Sequence, residues 1–385
     1  MKVEFCRHNI EEEDILSVRD VLESLFITTG PVTSQFEEVF SRYTYLKKTV
    51  AVSGCTGALH LTLMALGVGP GDEVITTPLT YVATANAILY TGAKPVFVDV
   101  EKDSGLLDPE GIEAAITPRS KVILPVHLYG SLCDMKAIAE IASRHKLKII
   151  EDSAHCIEGE RDGIRPGMLG EAACYSFYAT KNLTCGEGGA VATNDEALAA
   201  KIRKLRHHGV SATASVRYGE LYKHWDMDVF GRKYIMDDIH AALLVKQVDR
   251  LDGYLKRREE ICHRYERAIS KIPGIKILKT KGRSARHLQT ILVGEEQRDA
   301  MLVNLQKQGV GVGVHYRAVH TLDYYRKLYN FSPGDFPNAY QIGCRTLSLP
   351  LYPKLRDEEI HHVLTSLKRA SKVFALESVG VSKGS

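Results

Sequence analysis

The sequence lacks the features that would assign it to several specialised classes of protein. Its 50 basic and 47 acidic side chains leave a formal charge of only +3, so neither nucleic acid nor a charged membrane surface is an expected partner. Its eight cysteines form no C-x-x-C pair, and no metal site is predicted. No apolar run approaches the roughly 20 residues that cross a bilayer. The N-terminus turns acidic before any apolar stretch, unlike a secretory signal. We therefore expect a cytoplasmic protein with reduced thiols.

What the chain does contain is an ordinary globular composition, with 44% hydrophobic and 25% charged residues in a length of 385. Two domains are more usual than one at this length. Strand-like apolar runs alternate with helical patterns through the first half of the chain, which predicts an α/β fold with a mostly parallel sheet covered on both faces. The composition changes near Leu251, so we place a large domain at 1–250, whose N-terminal helices can pack with the small domain. A small C-terminal α+β domain follows at 251–376, with a frayed tail at 377–385.

Several local predictions concern single elements. Ile15, Val18, Leu22 and Leu25 lie on one face of a predicted N-terminal helix. In the second half we predict a helix capped by Asp237 or Asp238, a charged helix at Tyr254–Ile269, a strand at Val310–Val314, a final helix capped by Asp357 and a polar loop at Ser211–Tyr218.

A small-residue turn follows the first predicted strand. Thr49–Ser53 reads as a buried strand, Gly54-Cys55-Thr56-Gly57 as a turn, and the next residues as a helix. The first N–H groups of a helix have no partner within the helix and lie at the positive end of its dipole, so this layout is typical of phosphate binding. A simple helix N-cap explains the local sequence equally well.

Two further candidates follow later strands. Asp152 and His155, in Glu151-Asp152-Ser153-Ala154-His155, come directly after an apolar strand; the carboxylate can pair with a cationic ring nitrogen or merely cap a helix. Lys181 lies between a predicted strand and a glycine-rich turn. A lysine there is suited to imine chemistry with an aldehyde cofactor, although most lysines are simply solvated.

These three elements are expected at one edge of one sheet, because sites in such sheets collect at the carboxyl ends of the strands. Pyridoxal 5′-phosphate (PLP) requires all three: a helix start for its phosphate, a carboxylate for its pyridine nitrogen and an amine for its aldehyde. The sequence therefore predicts a PLP site built from Thr56, Asp152 and Lys181.

The order of the motifs also resembles a known family. From Phe5 to about Leu367 the chain is similar to the DegT-type nucleotide-sugar aminotransferases, which are PLP enzymes of the aspartate-aminotransferase-like fold type I. The matching stretches are TTGP (28–31), AVSGCTGALHL (51–61), TPLTYVATANAI (77–88), PVHLYG (125–130), EDSAH (151–155), SFYATKN (176–182), GEGGAV (186–191), GVHY (313–316) and LSLPLYP (347–353).

The resemblance implies a role for each matching residue. Lys181 would form the Schiff base, Asp152 would pair with the pyridine nitrogen, Tyr81 would stack on the ring and His155 would lie near its phenolic oxygen. The implied phosphate cradle is Cys55, Thr56, Gly57 and Ser176. The implied substrate-side residues are Thr29, Asn182, Glu187, Arg232, Lys233, His315 and Tyr316.

The resemblance further implies a homodimer with the active site at the interface, completed by the partner's Gly231–Met236 segment. In that segment Arg232 and Ile235 depart from the family pattern. The implied activity is transfer of an amino group from L-glutamate to a nucleotide-linked ketosugar, with a 4-keto-6-deoxyhexose favoured. A cyclitol ketone is an alternative acceptor. A PLP-dependent sugar dehydratase and a non-catalytic binding module on the same fold are alternative functions.

Overall fold

A seven-stranded sheet forms the centre of the computed structural model, which describes residues 1–210 and 224–380. Its strands are β1 (Lys48–Val52), β2 (Glu73–Thr76), β3 (Lys94–Phe97), β4 (Ser120–Leu124), β5 (Lys148–Asp152), β6 (Ala172–Ser176) and β7 (Gly189–Thr193). They lie in the order β1-β7-β6-β5-β4-β2-β3, and among these seven only β7 runs against the others. The predicted mostly parallel α/β sheet is confirmed.

Helices cover both faces of this sheet. The α-helices among the described residues, including those that pack in the C-terminal part of the chain, are α1 (Glu12–Leu22), α2 (Pro31–Thr44), α3 (Cys55–Ala65), α4 (Ala83–Tyr90), α5 (Pro109–Ala115), α6 (Met135–His145), α7 (Glu196–Leu205), α8 (Asp238–Ile269), α9 (Arg298–Lys307), α10 (Asp323–Tyr329), α11 (Pro337–Arg345) and α12 (Asp357–Gly380). Leu59 and Ile123 belong to the apolar cluster on one face, and Phe40 and Tyr175 to the cluster on the other. Strands β2, β6 and β7 are buried along their whole length, as expected for a sheet covered on both sides.

A second, smaller sheet belongs to the C-terminal part of the chain. Its antiparallel strands are β8 (Lys276–Ile277), β9 (Gln289–Leu292) and β10 (Thr346–Leu349), in the order β10-β9-β8. Its apolar cluster contains Ile261, Leu305 and Leu347, together with Val3 from the N-terminus. The N-terminal segment thus packs with C-terminal residues, while α1 packs on α8.

Helix α8 connects the apolar cluster that contains Phe40, on one face of the large sheet, to the cluster of the small sheet. Leu244 and Val248 in its first half pack with the large sheet, and Ile261 and Tyr265 in its second half pack with the small one. The charged helix predicted at Tyr254–Ile269 is therefore only the second half of a continuous helix. The composition change near Leu251 lies inside this helix, and the predicted domain division at that position stays a prediction.

The two aspartates at the start of α8, Asp237 and Asp238, have different roles. Asp237 caps α8, because its carboxylate accepts from the backbone N–H of His240 at 2.9 Å. Asp238 instead accepts from the backbone N–H groups of Gly30, Val32 and Thr33, at 2.8–3.1 Å. The buried Asp238 thereby fixes the turn that begins α2.

Three other predictions for the second half and the N-terminus need correction. The predicted strand Val310–Val314 is wrong: within the described residues this segment makes only isolated bridges, Val310 with Val3 and Gly313 with Ser348. Glycine weakens strand interiors and permits close backbone approach, and a Cβ on Gly311 would lie 2.4 Å from the Phe5 nitrogen. Asp357 is the first residue of α12 rather than its cap. The predicted helix at α1 exists, but Ile15 and Leu22 are exposed and Leu25 lies beyond its end.

Two predictions concern segments that lie wholly or partly outside the described residues. Helix α12 continues to Gly380, past the start of the predicted frayed tail, and residues 381–385 are outside the described part. The predicted loop Ser211–Tyr218 also lies outside the described residues. In the part of the chain that is described, no helix is both long and apolar enough to cross a membrane.

Candidate active site

The carboxyl ends of the parallel strands meet at one cavity of about 640 Å³, where the sheet topology predicts a site. Strand β1 leads to Cys55, β5 ends at Asp152 and β6 leads to Lys181, while β7, which runs the other way, begins at this edge with Gly189. The predicted site residues that line the cavity are Cys55, Thr56, Tyr81, Asp152, His155, Ser176, Lys181, Glu187, His315 and Tyr316.

Lys181 lies in the turn between β6 and β7. Its backbone N–H donates to the Tyr178 carbonyl at 2.8 Å, and the Phe177 carbonyl closes the turn by accepting from the Cys185 N–H at 3.0 Å. Burial lowers the pKa of the Lys181 amine from 10.5 to about 8, although the nearby Cys55 and Asp152 act in the opposite direction. Near neutral pH, more of this amine is uncharged than in an exposed lysine, and the uncharged form is the nucleophile.

Asp152 is the last residue of β5 and is buried. Its Oδ2 accepts from the Thr84 hydroxyl at 2.7 Å, and its Oδ1 accepts from the Ala154 N–H at 3.2 Å. The Thr84 hydroxyl in turn lies 2.8 Å from that of Thr80. Burial raises the pKa of the Asp152 carboxyl, and these hydrogen bonds, with Lys181 and His127, oppose the increase. A positively charged group beside this carboxylate would stabilise its ionised form.

The turn at Gly54–Gly57 places a helix start against strand β7. Gly54 is the N-cap of α3, whose first residue is Cys55. A Cβ on Gly189 would lie 2.6 Å from the Cys55 nitrogen, and a Cβ on Gly57 would lie 3.2 Å from the Tyr234 ring. Because these two positions are glycines, strand β7 and the segment at Tyr234 can lie close to the start of α3. A phosphate cradle requires such a close approach of backbone groups. Thr56 and Ser176 add hydroxyl groups to the same cavity.

Cys55 contributes its backbone rather than an ionised thiol. Burial raises the pKa of its thiol well above the usual value, with the Asp152 charge acting in the same direction. The thiol is therefore neutral, and the N–H groups at the helix start remain the anion-binding feature of this turn.

His155 and Tyr316 form a pair at the cavity wall. The Tyr129 N–H donates to His155 Nδ1 at 3.3 Å, so this nitrogen is unprotonated; the neutral ring then carries its proton on Nε2, which lies 3.1 Å from the Tyr316 hydroxyl. Burial and the neighbouring Lys181 lower the pKa of His155 well below its usual value. Tyr81 is 60% exposed, and its ring centroid lies 5.7 Å from that of Tyr316.

His315 extends this wall from the C-terminal part of the chain. Its Nδ1 lies 2.9 Å from the Ser348 hydroxyl, and its ring stacks on Phe5 with 5.4 Å between centroids. Burial lowers the pKa of His315 to about 4. The cavity is thus enclosed by residues from both ends of the chain and from the large sheet.

Four predicted substrate residues are not among the residues that line the cavity. Thr29 donates its hydroxyl to the Met236 carbonyl at 2.6 Å, and Asn182 is buried behind the turn that carries Lys181. Arg232 and Lys233 lie in a segment held by residues 205–208, where the Arg232 N–H donates to Leu205 and Lys233 bridges His207. The backbone of this segment also lies beside the phosphate turn, because the Ser53 N–H donates to the Tyr234 carbonyl.

Sequence reasoning missed Thr84, Phe5 and His287. Thr80 lies in the turn before α4 and Thr84 in its first turn, among mostly apolar and small residues, so buried hydroxyls in this stretch are a usable signal. Phe5 and His287 gave no local signal, since their neighbours in the site are distant in sequence. Within the described residues, no group of three or more His, Cys, Asp or Glu side chains is arranged to hold a metal ion.

Comparison with known sequences assigns a family. A sequence profile of the DegT/DnrJ/EryC1/StrS aminotransferase family matches residues 8–368. The spore coat polysaccharide biosynthesis protein SpsC of Bacillus subtilis (strain 168) is 44% identical over 369 residues, which cover 93% of this chain and 94% of SpsC.

Comparison with solved structures agrees with that result. The putative sugar aminotransferase Spr1654 from Streptococcus pneumoniae, in its apo-form, superposes with a TM-score of 0.92 at 33% identity, covering 98% of this chain and 100% of that one. Spr1654 has also been solved in PLP and PMP forms. S. venezuelae DesV, in complex with a ketimine intermediate, gives a TM-score of 0.86 at 35% identity, covering 93% of this chain and 94% of DesV.

Proposed function

We propose that this chain, which belongs to the DegT/DnrJ/EryC1/StrS aminotransferase family and is therefore a PLP-dependent transaminase, moves an amino group from L-glutamate to a nucleotide-linked ketosugar. A 4-keto-6-deoxyhexose is the favoured acceptor. The observation that carries the proposal is the meeting of Lys181, Asp152 and the start of α3 in one cavity. The sugar acceptor is supported by the sugar and polysaccharide biosynthesis for which the relatives are named.

The residues of the cavity fit PLP in their chemistry. The N–H groups at the start of α3, with the hydroxyls of Thr56 and Ser176, would hold the phosphate; Cys55 and Gly57 would contribute backbone. The buried Asp152 carboxylate would pair with the ring nitrogen, and Lys181 would hold the aldehyde carbon covalently. Tyr81 would cover the ring face, and His155 would donate near the phenolic oxygen. When bound, PLP supplies an electron sink that makes the Cα hydrogen of an amino acid acidic.

The chain's own groups then carry the proton transfers and the orientation. Because burial lowers the pKa of Lys181 to about 8, a substantial fraction of its Nζ is uncharged near that pH, so it is suited to taking a proton from the substrate carbon and returning it elsewhere. The Thr84 hydroxyl and the Ala154 N–H each donate to one oxygen of the Asp152 carboxylate and so fix its orientation. Glu187, His315 and Tyr316, which line the same cavity, would contact the substrate.

We further propose that a second copy of the chain completes the site. Leu25 is 89% exposed and Phe230 is 70% exposed, values that favour burial against a partner. The Thr29–Met236 hydrogen bond places the segment after α1 beside Met236, and Phe230 directly precedes the Gly231–Met236 segment that carries Arg232 and Lys233. In the proposed homodimer this segment reaches the partner's cavity, and one of its two cations replaces the polar contact that Ile235 cannot make.

The experiment uses the purified protein loaded with PLP. We expect it to be yellow, to change its absorbance when L-glutamate is added, and to transfer ¹⁵N from labelled glutamate to one member of a panel of nucleotide-linked ketosugars, as read by mass spectrometry. The Lys181→Ala variant should lose this transfer, whereas the matched surface variant Lys201→Ala should keep it. Full turnover by Lys181→Ala would disprove the mechanism.

The remaining alternatives give different products in the same assay. A sugar dehydratase would release ammonia and leave a product that lacks a hydroxyl group. A cyclitol aminotransferase would ignore the nucleotide-linked panel and incorporate ¹⁵N into a cyclitol ketone. The first result would overturn the proposed amino transfer, and the second would replace the proposed acceptor.

A further inference from the structure

A buried polar network lies directly behind Lys181, and the proposed reaction does not use it. Asn182, the next residue, places its Nδ2 3.0 Å from a Glu158 carboxylate oxygen and 3.0 Å from the Ala285 carbonyl. Its Oδ1 lies 3.2 Å from His287 Nδ1. Glu158 forms an ion pair with Arg258 of α8. These side chains are all buried, so they are in contact with one another rather than with solvent.

The network determines which way the Asn182 amide faces. The Glu158 carboxylate, which forms an ion pair with Arg258, and the Ala285 carbonyl both accept hydrogen bonds from this amide. Only the NH₂ of Asn182 can face two acceptors, so the amide oxygen must face His287. A hydrogen bond between that oxygen and His287 Nδ1 requires the nitrogen to donate. The proton of His287 is therefore on Nδ1.

His287 is also neutral, which leaves its second nitrogen unprotonated. Burial lowers the pKa of His287 well below its usual value, and the charges of Lys181 and Arg258 act in the same direction. A neutral ring protonated on Nδ1 has a lone pair on Nε2. This tautomer is opposite to that of His155, whose ring lies 4.3 Å away.

His287 shares a small cavity with Lys181. The cavity has a volume of about 30 Å³, and its polar lining includes Lys181, His287 and His315. Such a volume holds about one water molecule when polar partners are present. A nitrogen lone pair in this shared cavity would orient the N–H groups of the Lys181 amine, or of a water bound to it, without adding a positive charge.

We propose that Glu158 and Arg258 are positioning residues which, through the Asn182 amide, hold His287 in the Nδ1-protonated form and so keep its Nε2 as a hydrogen-bond acceptor beside Lys181. The ion pair thereby has a function other than stability. A buried ion pair is a costly way to stabilise a fold. Through the hydrogen bond of Glu158 with Asn182, this ion pair connects the Lys181 turn to α8, which packs with the large sheet and with the small one. Only the consequence for turnover depends on the proposed function.

The first test reads the tautomer directly. The chain contains 15 histidines, so ¹⁵N-histidine NMR of the purified full-length protein would be assigned by the signals that disappear in His287→Asn. We expect the Nδ1 of His287 to carry the proton in the wild type and a mixture of both tautomers in Glu158→Gln, since glutamine presents either an acceptor or a donor to Asn182. A wild-type His287 protonated on Nε2 would overturn the proposal.

The second test reads turnover against a matched control. Glu158→Gln is expected to lower kcat about tenfold with little change in KM for glutamate, as for an interaction needed after binding. Arg258→Lys, which keeps the cation, should retain more turnover than Arg258→Met. Glu37→Gln alters another buried ion pair, that with Arg206, and should leave kcat unchanged.

The outcomes separate this proposal from the proposed function. An equal loss of kcat in Glu37→Gln, or equal behaviour of the two Arg258 variants, would show a general effect on stability and overturn the positioning role. Unchanged tautomer and kcat in Glu158→Gln would do so as well. If no ketosugar is aminated but the tautomers follow the prediction, the proposed substrate fails and the positioning role stands.

Discussion

Burial moves Lys181 and Asp152, which face one cavity, toward their uncharged forms. It lowers the pKa of the Lys181 amine and raises the pKa of the Asp152 carboxyl, while each group weakly opposes the shift of the other. For the lysine this favours the nucleophilic amine. For the aspartate, a cationic ring nitrogen beside the carboxylate would oppose the effect of burial and favour the ionised form. Burial therefore favours the reactive form of Lys181 before the cofactor binds. The ring nitrogen of the cofactor would favour the ionised form of Asp152 upon binding.

The pKa of Lys181 predicts how capture of PLP by the apoprotein depends on pH. Only the uncharged amine attacks the aldehyde, so the rate should rise with pH and level off above about pH 8. Asp152→Asn removes an anion that favours the ammonium form, and its midpoint should therefore be lower than that of the wild type. Stopped-flow absorbance over a pH series measures both.

A carboxylate that does not influence Lys181 provides the control for this experiment. Glu187 is exposed at the mouth of the same cavity and is not among the groups that shift the Lys181 pKa. Glu187→Gln should keep the wild-type midpoint. A wild-type midpoint near the ordinary lysine pKa of about 10.4 would contradict the role given to burial.

Thr84 predicts a loss of cofactor affinity without a comparable loss of fold. Thr84→Val removes the hydroxyl that donates to Asp152, and hydrogen bonds to charged groups contribute about 1.5–3 kcal/mol. The PLP dissociation constant, measured by fluorescence titration, should rise about tenfold or more. Thr76→Val removes an equally buried hydroxyl whose acceptor is the Leu124 carbonyl, and it should bind PLP like the wild type.

Among single residues, the sequence motifs identified the reactive side chains but not the side chains that hydrogen-bond to them or to their neighbours. Lys181 and Asp152 were predicted to share a cavity, and they do. Thr84 is separated from Asp152 by 68 residues and His287 from Asn182 by 105. Neither pairing leaves a local pattern, because it exists only after β5 and the C-terminal sheet have brought the segments together.

Helices and strands could be predicted where the hydrophobic pattern of their own sequence determines them. The prediction was less accurate where contact with another segment of the chain determines the structure. The strands around Ile75, Ile123 and Ile150 are buried by the sheet that their own sequences form. The segment Val310–Val314 alternates valine and glycine like a strand, but its glycines instead admit the N-terminal backbone at Phe5. Helix α8 was predicted as two helices, because its composition changes from apolar to charged where it passes from one cluster to the other.

The contact of β7 with the start of α3 gives a prediction about an element. In Gly189→Ala the new Cβ would lie 2.6 Å from the Cys55 nitrogen and 2.5 Å from the Gly54 carbonyl carbon. The helix start must then move, so we expect unfolding free energy to fall by about 1–3 kcal/mol and PLP affinity to fall as well. Chemical denaturation and PLP titration measure the two effects.

A glycine in open space separates this steric effect from the general effect of alanine. A Cβ on Gly69 meets no atom within 4 Å, so Gly69→Ala should retain wild-type stability and affinity. If Gly189→Ala binds PLP as tightly as Gly69→Ala, the close approach of β7 does not shape the phosphate cradle.

For the whole molecule, the question is how Arg232 and Lys233 relate to the site. Neither lines the cavity of its own chain, although the backbone of their segment lies next to the phosphate turn. The side chains of Leu25 and Phe230 are exposed, and Phe230 directly precedes the segment. These observations support an arrangement with two-fold symmetry, in which each copy supplies the segment to the other's cavity.

Mixing two inactive variants tests that arrangement. Lys181→Ala lacks the reactive amine, and the double variant Arg232→Ala/Lys233→Ala lacks the segment's cations. In a hybrid dimer one cavity has its own Lys181 and an intact segment from the partner, so random mixing should restore about a quarter of the wild-type activity. If the segment served only its own cavity, no hybrid site would be intact and mixing would restore nothing.

Sedimentation of Leu25→Glu provides the complementary measurement, because a charge on the proposed interface should favour the monomer, whereas Lys201→Glu on an unrelated surface should not.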